Sequence, residues 1–564
     1  MSTGVLAPGG AARARAQLAS EAFDLLVVGG GITGVGTALD AVSRGLRVAL
    51  VEAQDWGAGT SSRSSKLIHG GLRYLQMRDF GLVREALRER AVLVQIAPHL
   101  VHPLSLLFPL HRRMVERAYV GAGVTLYDLL ARADATARSS AAAFPRHRQL
   151  GRRRALELAP ALRGDGLVGA ICFSDAQVDD ARYVLSVLRS AVALGVTALS
   201  RSAVVGLRRA DGRIAGATVR HLEDGGTTEV RARAVVATTG PWSPGFLSLA
   251  GVEGGSLAVR PSKGVHLVVP RDRIASASAL ILPTRTSVLF VLPWGAHWLV
   301  GTTDTPWEHD LARPAATAAD VGYLLDTLNA ALAHPLGTAD VESVYVGVRP
   351  LIAAAGTSTS RLSREHAVVR PVPGLVVVSG GKYTTYRVMA AEAVDAALRE
   401  LGQPPVPSPT ATLPIHGAGP LPLRLGSGLG LSLSSARRLY ERYGTAAVEV
   451  LALAEQDPAL AAPLHGYLAA EFVYGVTHED ARHLDDLLER RTRASLESPD
   501  RAVGIAEQVA QLVGPLLGWD AAAARREVAA YRQDVVARRR AEQCPDDASA
   551  AAVLAGVPGL LPLP

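Results

Sequence analysis

The chain has 564 residues, room for two to four folding units, and is 48% hydrophobic and 20% charged, which supplies large cores and leaves no long charge tracts. Its two cysteines, Cys172 and Cys544, lie far apart, which excludes a disulfide scaffold, a cysteine-ligated zinc site and an iron–sulfur cluster and fits a reducing, cytosolic milieu. The net charge of +7 suits anionic substrates, anionic lipid surfaces or nucleic acid, and among 59 basic residues only Lys66, Lys263 and Lys382 are lysines, so a retained lysine reads either as a place suited to a compact ammonium rather than a planar guanidinium or as a chance survivor.

Residues 1–20 are rich in Ala, Gly and Arg without an apolar core, which reads as a disordered leader and not a signal peptide. Asp24-Leu-Leu-Val-Val-Gly29 then reads as a strand, Gly29-Gly30-Gly31-Ile32-Thr33-Gly34 as a glycine turn opening a helix to about Arg44, and Gly45–Glu52 as a second strand ending in an acid. This is a G-x-G-x-x-G fingerprint in a βαβ frame. Gly29 serves the turn, Gly31 lets the backbone approach a pyrophosphate, Gly34 lets helix and strand pack closely, and Glu52 meets ribose hydroxyls. The fingerprint alone does not choose between NAD and FAD. FAD is favoured because the fingerprint occurs once: Gly121-Ala-Gly123 and Gly426-Ser-Gly428 lack the third glycine.

Ala91–Leu110 carries no Asp, Glu, Lys or Arg, but Pro98, Pro103 and Pro109 would break a membrane helix, so it reads as a helix end, a loop and a buried strand. Arg112, Arg113 and Arg117, followed by Tyr119, Leu126, Tyr127, Leu129 and Leu130, read either as a contact for an anionic bilayer or as a core-facing helix with a solvated basic start. Val235–Thr239 is an apolar run entering a Gly240-Pro241 turn, after hairpin-like stretches at Asp211-Gly212 and Asp224-Gly225-Gly226. Val265–Val269, Val288–Leu292 and Trp298–Gly301 read as sheet strands. Leu375–Ser379 is a buried strand opening through Gly380-Gly381-Lys382 into a helix; Tyr383 and Val376 stand where a P-loop needs Ser/Thr and Gly, so this is not a P-loop. Pro404–Pro409 marks a linker, beyond which Ser434–Tyr443 and Ala481–Ser495 read as helices.

These segments together resemble the aerobic, FAD-dependent glycerol-3-phosphate dehydrogenase family. The resemblance rests on Thr60-Ser-Ser-Arg-Ser-Ser-Lys-Leu-Ile-His-Gly-Gly-Leu-Arg-Tyr-Leu75, on Leu292-Pro293-Trp294 with Gly301-Thr-Thr-Asp304, on Gly347-Val-Arg-Pro-Leu351 and on Gly381-Lys-Tyr-Thr-Thr-Tyr-Arg387. It covers residues 22–400 strongly and residues 405–564 more loosely, through Tyr474–Glu479 and Arg490-Arg491-Thr492. One departure is Ala237-Thr238-Thr239-Gly240, where the family has Asn-Ala-Thr-Gly.

The resemblance implies oxidation of sn-glycerol 3-phosphate to dihydroxyacetone phosphate, with hydride passing from C2 to FAD and electrons then passing to a membrane quinone. A glycerol-3-phosphate oxidase using dioxygen, or a non-catalytic flavin-binding protein, are the alternatives; dispersed arginines argue against a nucleic-acid partner. A phosphate dianion calls for two or more cations, with Arg73, Arg349, Arg364 and Lys382 as candidates and Tyr74 as either a phosphate ligand or a core aromatic. His266, flanked by Val265 and Leu267, is an inward strand residue; alone it reads as a core histidine, and the resemblance makes it the first choice of proton acceptor, with Arg349 holding the alcohol oxygen. The resemblance also implies cofactor contacts at Ser65, Lys66, His69, Gly70, Gly240, Gly381, Lys382 and Thr384.

The expected fold is α/β. A Rossmann-like FAD domain is drawn from about 20–90, 165–250 and 365–400, an antiparallel-sheet substrate domain is interleaved from about 100–160 and 255–360, and a helical C-terminal domain covers 403–564. The expected setting is the cytoplasm, peripheral on the inner face of the cell membrane, and a homodimer is compatible with it.

Overall fold

The computed structural model describes residues 6–71, 79–111, 115–132, 143–252, 257–284, 287–352, 366–422, 425–557, 559 and 563. Two large sheets and a helical C-terminal domain organise it. The first sheet runs in the order His366–Val372, Leu375–Gly380, Thr227–Ala237, Ala22–Val28, Val48–Val51 and Thr197–Leu199. Along this order the four inner pairings are parallel, and His366–Val372 runs antiparallel at the edge. Leu25, Leu26, Val27, Val235, Val236, Val376 and Val377 are fully buried, as strands covered on both faces must be. Helices Ile32–Ser43, Asp180–Ala193 and Tyr386–Glu400 pack against one another on one face. On the other, helix Gly10–Ser20 lies against Thr227–Ala237 and Thr197–Leu199, and the hairpin strands Ser202–Ala210 and Arg213–His221 continue onto Thr227–Ala237. Helix Gly10–Ser20 occupies residues expected to be unstructured: Ala14 and Leu18 are fully buried against the sheet.

The second sheet has ten strands in a mostly antiparallel order: Thr305–Pro306, Val259–Pro270, His297–Gly301, Val288–Trp294, Ala279–Pro283, Val101–Leu110, Gly169–Val178 and Leu67–Ile68, with Ser343–Ile352 beside Val259–Pro270 and Arg148–Gly151 beside Gly169–Val178. Helix Phe80–Ile96 and strand Val101–Leu110 replace any notion of a span at 91–110. Strand Gly169–Val178 corrects the expected partition. It lies inside the stretch assigned to the nucleotide-binding sheet, yet pairs with Val101–Leu110 over ten residues and so belongs to the second sheet.

In the C-terminal region, helices Leu433–Tyr443, Ala447–Gln456, Ala469–His478, Ala506–Leu517, Ala521–Ala541 and Asp547–Ala555 form two apolar clusters and a third against Trp307 and Val348. The helix expected at 481–495 is instead a short π-helical turn, Asp486–Arg491, between irregular segments. Its charged residues leave helical geometry to reach across the molecule: Arg490 and Arg491 both pair with buried Asp55, and Arg201 pairs with Asp486. Among the described residues no helix is long and apolar enough to cross a membrane.

Candidate active site

A single cavity of about 1260 Å³ opens at the carboxyl ends of the parallel strands, where Val28, Val51, Thr238 and Ser379 line it, and extends to the second sheet at Gly264, His266, Thr302 and Arg349. Carboxyl ends of parallel strands are where open α/β sheets bind ligands. The volume exceeds the ~300–1,000 Å³ usual for one small molecule, leaving room for a dinucleotide and a substrate together.

The nucleotide end is built by close packing. A Cβ on Gly34 would stand 1.7 Å from the Gly29 carbonyl oxygen, so only glycine lets helix Ile32–Ser43 start this close to the first strand. Gly29 and Gly31 line the cavity at that helix's N-terminus, where unsatisfied amides favour an anion. Ile32 N–H donates to Ser61 Oγ at 2.9 Å, which ties the turn to the 60–66 segment. Glu52 ends the second strand as expected in position: one carboxylate oxygen accepts from Gly30 N–H at 2.5 Å and the other from Gln54 N–H at 2.6 Å. Each oxygen keeps a lone pair for a ribose hydroxyl. Burial pushes the Glu52 carboxyl above its ordinary range. At the departure from the family pattern, Thr238 Oγ1 donates to the Val28 and Gly29 carbonyls at 2.9 and 3.1 Å, so this hydroxyl holds the turn. Gly240, Gly381, Lys382 and Thr384 line the same cavity, and Thr384 Oγ1 receives the His69 N–H at 3.2 Å, bringing His69 to the wall. This donor set fits FAD.

At the other end, register places the chemistry. In the ladder between Val259–Pro270 and Ser343–Ile352, Ser262 faces Arg349 and His266 faces Tyr345, so Ser262, Gly264 and His266 share one face. A Cβ on Gly264 would meet Arg349 Nη2 at 2.4 Å, so glycine gives the guanidinium its path across the strand. Arg349 is then held by Thr302 Oγ1 at 2.9 Å, by the Thr303 carbonyl at 3.2 Å and by Asp304 at 3.7 Å. The His266 ring stacks on Tyr345 with centroids 4.6 Å apart, and its Nε2 lies 2.8 Å from Ser65 Oγ. Burial, then the charges of Arg349 and Lys66, push His266 well below its ordinary value, so the imidazole is neutral.

Arg73 and Tyr74, and likewise Arg364, lie outside the described residues. Lys66 and Gly70 do not reach the cavity. Lys66 has a left-handed φ of +57°, and its ammonium turns to Asp180 Oδ1 at 2.7 Å. Gly70 is packed behind the wall, its N–H donating to Tyr127 Oη at 2.8 Å. Tyr127 is therefore a core residue, bonded also to Asp175, and not part of an outward apolar face; Tyr119 and Leu129 are the exposed members of helix Val115–Leu130. Lys263 likewise faces Asp320 at 2.6 Å and Asp547, joining the second sheet to the last helix. Of the three lysines only Lys382 lines the cavity. Sequence reasoning gave no role to Ser61, Thr302, Asp304 or Tyr345, although Ser61, Thr302 and Asp304 stood inside quoted segments. Nor did it find Asp180, whose partners are more than 100 positions away and leave no local signal.

The FAD dependent oxidoreductase family model matches residues 24–395, and the model for the C-terminal domain of alpha-glycerophosphate oxidase matches residues 408–524. Glycerol-3-phosphate dehydrogenase 2 of Mycobacterium tuberculosis is 48% identical across 98% of this chain and 95% of its own. The mitochondrial glycerol-3-phosphate dehydrogenase of Homo sapiens is 34% identical across 88% of this chain and 71% of its own. The crystal structure of glycerol-3-phosphate dehydrogenase from Bacillus halodurans complexed with FAD superposes with a TM-score of 0.77 at 28% identity, covering 94% of this chain and 98% of that one. A dinucleotide turn, a cavity sized for cofactor and substrate, and relatives matched over most of their length agree that this chain belongs to the FAD-dependent glycerol-3-phosphate dehydrogenase family.

Proposed function

We propose that the chain oxidises sn-glycerol 3-phosphate to dihydroxyacetone phosphate, with hydride leaving C2 for FAD and electrons passing on to a membrane quinone. The observation that carries this reading is the meeting of Arg349, Lys382 and the Ser65–His266 pair on one cavity that also holds the dinucleotide turn. FAD, when bound, supplies the two-electron acceptor; the Gly29–Gly31 turn, Glu52, Gly240, Gly381 and Thr384 hold it.

The chain's own residues do the rest. Lys382, Arg349 and the undescribed Arg73 and Arg364 offer the cations that a phosphate dianion needs. Thr302, Thr303 and Asp304 fix the Arg349 fork before substrate arrives. Ser65 and His266 both line the cavity, but His266 is only 2% exposed, so the proton reaches it by relay: Ser65 Oγ accepts the alcohol proton as its own hydroxyl proton passes to His266 Nε2. Burial and then the charge of Arg349 depress His266, and a substrate dianion beside Arg349 offsets the second of these, raising its basicity when a proton acceptor is needed. Tyr119 and Leu129, exposed on helix Val115–Leu130, together with Arg117 are the surface proposed to meet an anionic membrane; Arg112 and Arg113 lie outside the described residues.

The test is anaerobic bleaching of the bound flavin by a panel of sn-glycerol 3-phosphate, its enantiomer, glycerol and lactate, followed by reoxidation with a soluble quinone or with dioxygen. Bleaching by sn-glycerol 3-phosphate alone, with quinone the faster oxidant, is expected. Failure to bleach removes the substrate, and faster reoxidation by dioxygen replaces the dehydrogenase reading by the oxidase one.

A further inference from the structure

The 60–66 segment is a wall with two sides. Ser61, Ser64 and Ser65 face the large cavity, Ser62 and Lys66 line a second chamber of about 110 Å³ between the wall and the C-terminal domain, and Arg63 borders both. That is more than a single water site requires.

The charges in the chamber's own wall are unevenly paired. Arg538 pairs with Glu489 and Asp534, Arg313 with Asp534, and Arg501 takes both oxygens of Glu542. Arg490, Arg493 and Lys66 are engaged by acids behind the chamber: Asp55, Asp485 and Asp486 for the first, Asp179 and Asp180 for the others. Four guanidiniums, those of Arg63, Arg313, Arg501 and Arg538, thus face three carboxylates, and Arg63 is the one left over. Among the described residues no hydrogen bond or ion pair reaches its guanidinium. Arg63 borders both spaces, but the charges acting on it are Glu489, Arg538, Arg490 and Asp534, all in the chamber wall. Burial without a partner holds Arg63 down to about 10. A second donor in the same wall, Arg501 Nε–H, is buried without an acceptor among the described residues. The half-buried Arg63 guanidinium keeps its proton and, with no acceptor of its own among the described residues, favours a counter-charge.

We propose that the chamber binds a small oxyanion of the phosphate class on Arg63, a second anion site separate from the substrate's. Arg63 is continuous with Ser64 and Ser65 of the cavity wall, so the bound ion braces that wall from behind.

The experiment is equilibrium dialysis of the FAD-loaded enzyme against radiolabelled inorganic phosphate, with dihydroxyacetone phosphate in saturating excess to fill the cavity. About one phosphate per chain is expected on the wild type under these conditions. Arg63→Met should weaken it by at least about tenfold, the effect of ~1.4 kcal/mol, and Arg63→Lys should retain it. No phosphate on the wild type, or equal binding by Arg63→Met, overturns the proposal. The assay is also independent of the proposed activity: if dihydroxyacetone phosphate does not occupy the cavity, a second phosphate appears that Arg63→Met leaves in place. Unaltered flavin content in both variants separates loss of the ion from loss of fold.

Discussion

Asp180→Asn tests how the active-site wall is held. Asp180 is fully buried at the start of helix Asp180–Ala193 and accepts from Ser64 N–H at 3.0 Å, Ser64 Oγ at 2.7 Å, Lys66 Nζ at 2.7 Å and Arg493 Nη2 at 2.5 Å. The amide keeps the shape and removes the charge. Stranding one partner of a buried pair costs about 3–5 kcal/mol, but each cation here has a partial escape. Arg493 retains Asp179 at 2.7 Å. Lys66, held down to about 8 by burial and then by Arg493, sheds its proton instead. At pH 7 that costs ~1.4 kcal/mol, one pKa unit. The expected deficit is therefore roughly 2–4 kcal/mol, smaller at pH 9 than at pH 7, because Lys66 is then already losing its proton. Thermal unfolding followed by tryptophan fluorescence, with flavin release recorded in parallel, measures it. At ~2–4 °C per kcal/mol for a unit of 150–250 residues, a drop of about 5 °C or more is expected, with earlier release of FAD. Adding Lys66→Met should recover part of the loss, because a buried pair replaced together is tolerated better than one broken. An Asp180→Asn protein with wild-type melting and flavin retention at pH 7 would refute the argument.

Gly31→Val should yield protein without FAD, because its Cβ begins 3.0 Å from Ser61 Oγ and its methyls enter the cavity; normal flavin content would refute this role of the turn. Arg349→Ala should leave FAD bound and lower kcat/KM by a factor equivalent to about 2–5 kcal/mol; unchanged steady-state kinetics would remove Arg349 from the site. Lys382→Arg should retain FAD with a strong fall in kcat/KM, because the longer planar fork does not fit where a compact ammonium lines the cavity; wild-type kinetics would leave the assignment resting on the other cations. His483 bridges Glu223 and Glu527 at 3.2 and 2.9 Å, and these contacts outweigh burial and raise it to about 10. Since its folded value lies above the unfolded ~6.5, its contribution, on the order of 4–5 kcal/mol, is complete below pH 6.5 and vanishes as pH rises through 10. Urea midpoints of wild type and His483→Gln should therefore differ at pH 6 and converge above pH 10, and a constant difference would refute the linkage.

The local order of strand, glycine turn, helix and acid at residues 22–52 is determined by sequence alone, because alternation, glycine sterics and chain continuity act over a few residues. The glycine turn, Glu52, and strands Leu375–Gly380 and Val259–Pro270 all follow from such short-range rules. The same holds for the inward position of His266 on its strand. What the second sheet takes from the stretch 165–250 is not legible this way. Gly169–Val178 is apolar enough to suit either sheet, and only its pairing partner, some seventy residues earlier, decides which. The lysines show the same limit from the other side. Sparing use of Lys singled out Lys66, Lys263 and Lys382 as special, but composition carries no direction. Asp180, Arg493, Asp320 and Asp547, all distant in sequence, made two of them buried ion pairs and left Lys382 at the cavity. The C-terminal turn at 486–491 marks the boundary: helical periodicity predicts a longer helix, and only the tertiary fold, by burying Asp55 opposite it, draws Arg490 and Arg491 out of that pattern, because a buried carboxylate must be met by charge wherever the chain can supply it.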